Sequence, residues 1–174
     1  CAGIDADHSA ICLDQLEAVR SLLEDASQRG AGRRYLIQHS AGSGKSYSIA
    51  WLAHQLINLS AQASSEPLFH TVIVITDRRV LDAQIRNEIK RFTQVRSVVG
   101  AVTEGSAQLR QYLEQGKRII TSTIQKFPFI LDELGQSHRE RRFAIVIDEA
   151  HSSQGGKNST AIHRALGSHE ELDA

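Results

Sequence analysis

HSAGSGKS, His39 to Ser46, is the stretch on which the reading of this chain turns. The apolar residues just before it make Arg34–Gln38 an expected short strand. Just after it, Ile49, Leu52, Ala53 and Leu56 recur at i, i+3, i+4 and i+7, the spacing of one helical face. A strand, a Gly-rich turn and a helix in that order make a cradle for phosphate groups. Backbone N–H groups of the turn and the positive end of the helix dipole both favour an anion. Gly42 and Gly44 let the backbone approach oxygen atoms where a Cβ would clash. Ser40, Ala41, Gly42, Ser43 and Gly44 therefore form the expected phosphate loop. Lys45 is placed to reach terminal phosphates, and the Ser46 hydroxyl to ligate Mg²⁺. His39 stands where the general pattern has its first Gly. The competing reading, a Gly/Ser connector that happens to hold a lysine, leaves the flanking strand and helix unexplained.

A chain of 174 residues is long enough for one domain with a substantial core. The formal net charge of +0 says nothing about a polyanionic partner, but its distribution does. From Arg78 to Arg142 thirteen Lys/Arg face seven Asp/Glu, a local excess of six that hints at nucleic acid and equally fits a solvated mixed surface. Cys1 and Cys12 have no metal-ligand spacing, and the eight histidines are scattered. No apolar run approaches the roughly 18 residues of a membrane span, and the first residues lack a signal peptide's order. A reducing cytoplasm and no membrane partner are the expectations. A chain that opens at Cys1 and contains no methionine reads as a piece of a longer protein.

Hydrophobic patterning supplies the architecture. Leu16, Val19, Leu22 and Leu23 mark a helix ending near Gln28, with Gly30 and Gly32 behind it. TVIVIT (Thr71–Thr76) and FAIVI (Phe143–Ile147) read as strands buried on both faces. Val98–Val102 and Arg118–Ser122 are further strands. Helices are expected after the phosphate loop to about Leu59, over Leu81–Phe92, around Ala107–Leu113 and near Ile124–Leu134. Ala61–Pro67 and Gln136–Arg142 read as surface segments. Strands alternating with helices imply an α/β fold: a mainly parallel central sheet covered by helices on both faces, in three layers. Residues 1–10 and 167–174 are expected to be peripheral to the single domain. Ligands of such sheets sit at the carboxyl ends of the strands.

Three polar groups fall at those ends. Asp148-Glu149 follows FAIVI; Asp148 is placed to hold Mg²⁺ and Glu149 to orient and deprotonate an attacking water. Thr76-Asp77-Arg78-Arg79 follows TVIVIT, where hydroxyl and guanidinium groups can grip a phosphodiester backbone. An Asp77 helix cap with exposed arginines fits nearly as well. Thr121-Ser122-Thr123 with Gln125 and Lys126 closes the next strand, and a plain helix cap is the simpler reading there.

In combination, HSAGSGKS, VIVITDRRVLDAQ, TSTIQKF and VIDEAHSSQGG resemble the first motor domain of superfamily 2 helicases and translocases. More narrowly, the chain is similar to the restriction (R) subunit of type I restriction–modification enzymes. Tyr35–His39 before the loop, Ser48–Leu52 after it, and the TDRR and SSQGG extensions carry that narrower likeness, over roughly Leu13 to Lys157. The resemblance implies a RecA-like P-loop NTPase domain that uses ATP and Mg²⁺, with Lys45, Asp148 and Glu149 in the catalytic centre. It gives Gln15 the role of reading adenine and His151 that of coupling nucleotide state to DNA. Thr76, Arg78, Arg79, Thr123 and Gln125 fall in motifs that touch the DNA backbone.

The same resemblance implies duplex DNA as the track, with a nuclease domain and a second RecA-like domain in the full-length chain. It also implies modification and specificity subunits as partners. Residues 1–174 without the second domain's arginine are expected to bind nucleotide and hydrolyse it poorly, since such an arginine is worth roughly 10³–10⁵ in turnover. The alternatives are another superfamily 2 DNA or RNA helicase, a small P-loop kinase or nucleotide-binding regulator, and a non-catalytic nucleic-acid-binding module.

Overall fold

The apolar runs TVIVIT and FAIVI lie side by side as parallel strands, β1 (Thr71–Thr76) and β4 (Phe143–Ile147). The computed structural model describes residues 13–37, 44–61, 65–76, 79–92, 99–137 and 141–148. With β2 (Val99–Val102) and β3 (Ile119–Thr123), they make a sheet of order β2-β3-β1-β4 in which every pairing is parallel. Each residue of β1 is buried, as the unbroken apolar pattern requires of a central strand. β4 is an edge strand among the described residues, and Ile145 is 37% exposed.

Alternation along the strands sorts the core into two halves. Val72, Val74, Ile119 and Ala144 face α1 (Leu13–Arg29), α2 (Lys45–Asn58) and α3 (Arg79–Phe92). Ile73, Ile75, Val102 and Ile120 face α4 (Ser106–Glu114) and α5 (Phe127–Ser137). The path from β1 to β2 moves one way across the sheet over the α3 face. The paths from β2 to β3 and from β3 to β4 move the other way over the α4/α5 face. Opposite directions on opposite faces are what a single crossover hand demands. The three-layer α/β architecture expected from the pattern is thus the one observed. No helix among the described residues is long and apolar enough to cross a membrane.

Most boundaries fall within two residues of expectation. The segment near Ile124–Leu134 divides into a 3₁₀ turn, Ile124–Lys126, and α5, which opens with Pro128 in its first turn, where a missing N–H costs nothing. α5 continues to Ser137, so the beginning of the expected Gln136–Arg142 turn is helical. The real departure is Arg34–Gln38. Residues 34–37 carry no strand, Leu36 is 91% exposed, and Gln38 lies outside the described residues. A strand exists through its partner, and no partner lies beside this segment among the described residues. Tyr35 instead donates its hydroxyl hydrogen to Asp25 Oδ2 at 2.8 Å, which fastens the segment to α1. Partial burial and that hydrogen bond raise the Tyr35 pKa above its ordinary value.

The basic excess between Arg78 and Arg142 finds a structural use. Arg118 donates to the Ile57 carbonyl at the end of α2, and Arg141 to the Leu113 carbonyl at the end of α4. Arg142 donates to the carbonyls of Leu68 and Pro67. Arg110 makes a two-pronged bond from α4 to the buried Glu133 of α5, at 2.8 and 2.9 Å. These four cations satisfy carbonyls and a carboxylate. Arg110→Ala should therefore lower the thermal midpoint, because it removes a two-pronged partner from a buried carboxylate, and Arg110→Lys should restore only part of it. At Gly100 a Cβ would meet the Tyr112 ring at 2.8 Å. Gly100→Ala should cost about 1–3 kcal/mol in chemical denaturation, the usual range for overpacking. An unchanged midpoint in either series would contradict these contacts.

Candidate functional site

The direction of α2 decides whether Lys45 and Asp148 can share a ligand. The C-terminal turn of α2 is held at the start of β3, because Arg118, the residue before that strand, bonds the Ile57 carbonyl. A helix of 14 residues is about 21 Å long. The six residues of β1 span about 20 Å. The helix thus runs the length of the sheet, and its first residues, Lys45 and Ser46, emerge at the carboxyl ends of the strands. Asp148 is the first residue beyond β4, at that same end.

Both groups also lie on one face. Ile49, Ala50, Leu52, Ala53, Leu56 and Ile57 bind α2 to the half of the core that contains Val72, Val74 and Ala144. Val146 packs against the same cluster, and strand alternation carries Asp148 to its side. The Asp148 N–H donates to the Ile75 carbonyl at 2.8 Å, which extends the β1–β4 ladder by one residue. Asp148 is 7% exposed. The sheet therefore brings a lysine, a serine hydroxyl and a carboxylate, from positions about a hundred apart in sequence, to one edge and one face.

Gly44 closes the loop's entry to α2 with φ 80° and ψ 26°, a left-handed conformation that favours glycine. It accepts hydrogen bonds from the N–H groups of Tyr47 and Ser48; among the described residues no side-chain cap bond is made at this N-cap, and no acidic residue lies in the first turn. A helix start built this way offers its first N–H groups and its dipole to an anion. Among the described residues no group of three or more His, Cys, Asp and Glu is placed to hold a metal. One hydroxyl and one carboxylate beside a phosphate-binding helix start suit a hard cation that keeps phosphate and water ligands, as Mg²⁺ does.

The remaining expected residues divide clearly. Ser40, Ala41, Gly42, Ser43, Arg78, Glu149 and His151 lie outside the described residues. Gln15 is in the first turn of α1 and Arg79 begins α3. Thr123 and Gln125 stand at the end of β3, Gln125 on the surface. Thr76 is 0% exposed, and the expectation that its side chain touches DNA does not fit that position. Its place at the end of a fully buried strand, under α2 and α3, explains the burial. The helix-cap reading of the Thr121–Thr123 cluster also fails. Ser122 Oγ donates to the Val102 carbonyl at 3.2 Å, and Thr123 makes no side-chain cap to the 3₁₀ turn. Sequence reasoning missed the open cleft beside this cluster, where Gly105, Ser106 and Gln108 at the start of α4 face Lys126 and Phe129. The Gly before an amphipathic run was its one visible signal.

Comparison with known proteins agrees with this geometry. The chain is 35% identical over 144 residues to the endonuclease subunit of the type I restriction enzyme HindI of Haemophilus influenzae. That alignment takes in 80% of this chain and 13% of the relative. It is 27% identical over 158 residues to the endonuclease subunit of the type I restriction enzyme SauMSSORF170P of Staphylococcus aureus, covering 89% of this chain and 15% of that one. The chain thus spans under a sixth of the length of these curated relatives. In fold it is similar to a nuclease-deletion mutant of the Type ISP restriction–modification enzyme LlaGI, solved in complex with a DNA substrate mimic. The TM-score is 0.58 at 16% identity, over 83% of this chain and 16% of that one. Residues 14–172 match the SWI2/SNF2 ATPase family, and a match over nearly the whole chain places this protein in that family.

Proposed function

We propose that this chain is the ATP-binding motor domain of a type I restriction endonuclease R subunit, which uses Mg·ATP hydrolysis to move duplex DNA before cleavage. The observation that carries the reading is the arrival of Lys45, Ser46 and Asp148 at one edge and one face of the sheet. The sequence likeness to type I endonuclease subunits selects the restriction enzyme among motors of this kind.

The start of α2 and the loop residues 40–44 hold the triphosphate, and Lys45 neutralises its terminal groups. Ser46 and Asp148 hold Mg²⁺, which when bound neutralises phosphate charge and favours departure of the terminal phosphoryl group. Glu149 orients a water and takes its proton. Gln15 reads the adenine, and His151 couples the nucleotide to the DNA track. Arg78, Arg79, Thr123 and Gln125 contact the DNA backbone, so binding is indifferent to sequence and weakens with salt. A second RecA-like domain completes the ATPase site, a nuclease domain cuts, and modification and specificity subunits choose the DNA. The assembly works in the cytoplasm.

In the full-length protein, Lys45→Ala should weaken nucleotide binding by roughly 10- to 100-fold, the loss expected for a charged hydrogen-bonding group. Unaltered affinity in that variant would remove the phosphate site. Glu149→Gln should retain binding and lose roughly 10²–10⁴ in DNA-stimulated turnover, the usual contribution of a positioned base. Normal turnover would take that role from Glu149. Strand separation without partner subunits, in place of translocation, would point to a helicase outside restriction.

A further inference from the structure

Thr76 is a buried hydroxyl to which the motor reading gives no task. β1 is aliphatic from Val72 to Ile75 and ends in a threonine that is 0% exposed. Valine has the same shape and would fill that position without a polar atom to satisfy. β3 changes in the same way, from Ile119-Ile120 to Thr121-Ser122-Thr123. In register, Thr76 pairs with Thr123 on one side. On its other side the β1–β4 ladder pairs Ile75 with Ile147, and the Asp148 N–H to Ile75 carbonyl bond carries it one step further. Thr76 and Asp148 are therefore neighbours across the strands.

They also share a face. Thr76 follows Val72 and Val74 by alternation, and Asp148 follows Ala144 and Val146, all four in or against the core half beneath α2. Adjacent strands lie about 4.8 Å apart, a spacing that a hydroxyl and a carboxylate bridge with one hydrogen bond. A carboxylate that holds a metal through one oxygen needs its other contacts to fix its orientation.

We propose that Thr76 is a positioning residue whose buried hydroxyl orients the Asp148 carboxylate toward the magnesium ion of the bound nucleotide. The proposal rests on the nucleotide reading above and concerns only how Asp148 is aimed. It places Thr76 inside the ATPase site rather than on the DNA track, and it gives the apolar-to-hydroxyl change at the end of β1 a purpose.

The test is binding of a fluorescent ATP analogue to the full-length protein in Mg²⁺ and in EDTA. The ratio of the two affinities is the magnesium increment. Thr76→Val should reduce that increment about tenfold, the scale of one hydrogen bond to a charged group, and leave affinity in EDTA unchanged. Thr76→Ser should keep the increment to within about twofold. Thr121→Val, equally buried and on the same face one step behind the row, should keep it whole. Asp148→Asn should reduce the increment, and adding Thr76→Val to it should reduce it little further, because the two residues act as one. Should Thr76→Val fail to fold, Thr76→Ser and Thr76→Ala, which differ by one hydroxyl, decide the matter. A wild-type increment in Thr76→Val, or equal losses with and without Mg²⁺, overturns the positioning role alone. A wild-type protein with no increment overturns the nucleotide site itself, and this role with it.

Discussion

The grip of the Arg118 guanidinium on the Ile57 carbonyl fixes one end of α2 where β3 begins, and much of the site follows from it. Helix and strand have nearly equal lengths, so the opposite end of α2 has to emerge where the strands finish. The aliphatic packing between α2 and the sheet is non-directional and would tolerate some sliding along the helix axis. A directional bond at one end removes that freedom. The position of Lys45 relative to Asp148 is thus set from a point at the far edge of the sheet, by a residue that no motif contains.

The same far edge gathers three of the arginines that lie between Arg78 and Arg142. Arg118 and Arg142 donate to carbonyls at the end of α2 and in the Pro67–Leu68 segment, and Arg141 adds a second donor to the Leu113 carbonyl, which already accepts from the Gly116 N–H. His70 joins them: its N–H donates to the Arg142 carbonyl, and its Nδ1 accepts from the Arg142 N–H. The two ends of the sheet have divided the labour. Arginines at the amino ends of the strands hold the layers together, which leaves the carboxyl ends free to carry chemistry.

Sequence pattern revealed whatever depended on local repetition. TVIVIT is buried throughout as its pattern requires, and the spacing of Ile49, Leu52, Ala53 and Leu56 matches the buried face of α2. FAIVI is a strand as expected but lies at the sheet edge among the described residues, with Ala144 buried and Ile145 exposed, so its expected burial on both faces is not observed. The placement of Lys45, Ser46 and Asp148 at the carboxyl end of the sheet was legible because each opens or directly follows a strongly patterned element. What pattern could not supply was partnership. Arg34–Gln38 has the composition of a strand, yet pairing is a property of two segments, and its neighbour cannot be read from its own residues. Thr76 was misplaced for a related reason. The residue at a strand's end can look outward or inward, and only the helices laid over it determine which. Arg118, Arg141 and Arg142, counted in the basic excess, gave no sign in sequence of the carbonyls they bond.

The sheet shows how stability and function are reconciled along single strands. β1 is aliphatic from Val72 to Ile75, behind a buried Thr71 whose hydroxyl donates to the Lys117 carbonyl, β3 opens with Ile119 and Ile120, and both strands finish in hydroxyl groups. Every buried hydroxyl weakens the core unless it is hydrogen-bonded, so their concentration at one end is a cost that packing alone does not explain. Thr76, Thr121 and Thr123 share the face of Asp148 and α2, while Ser122 on the other face bonds the Val102 carbonyl and Thr71 at the amino end bonds the Lys117 carbonyl. On the proposed nucleotide reading, a carboxylate beside a highly charged ligand would need a polar lining that is also rigid enough to hold a geometry. Threonine answers both needs, since its branched Cβ fits a strand as valine does while its hydroxyl serves the charge. The change from Val72 to Thr76 is therefore the passage from aliphatic core to polar strand end, drawn along five residues of one strand.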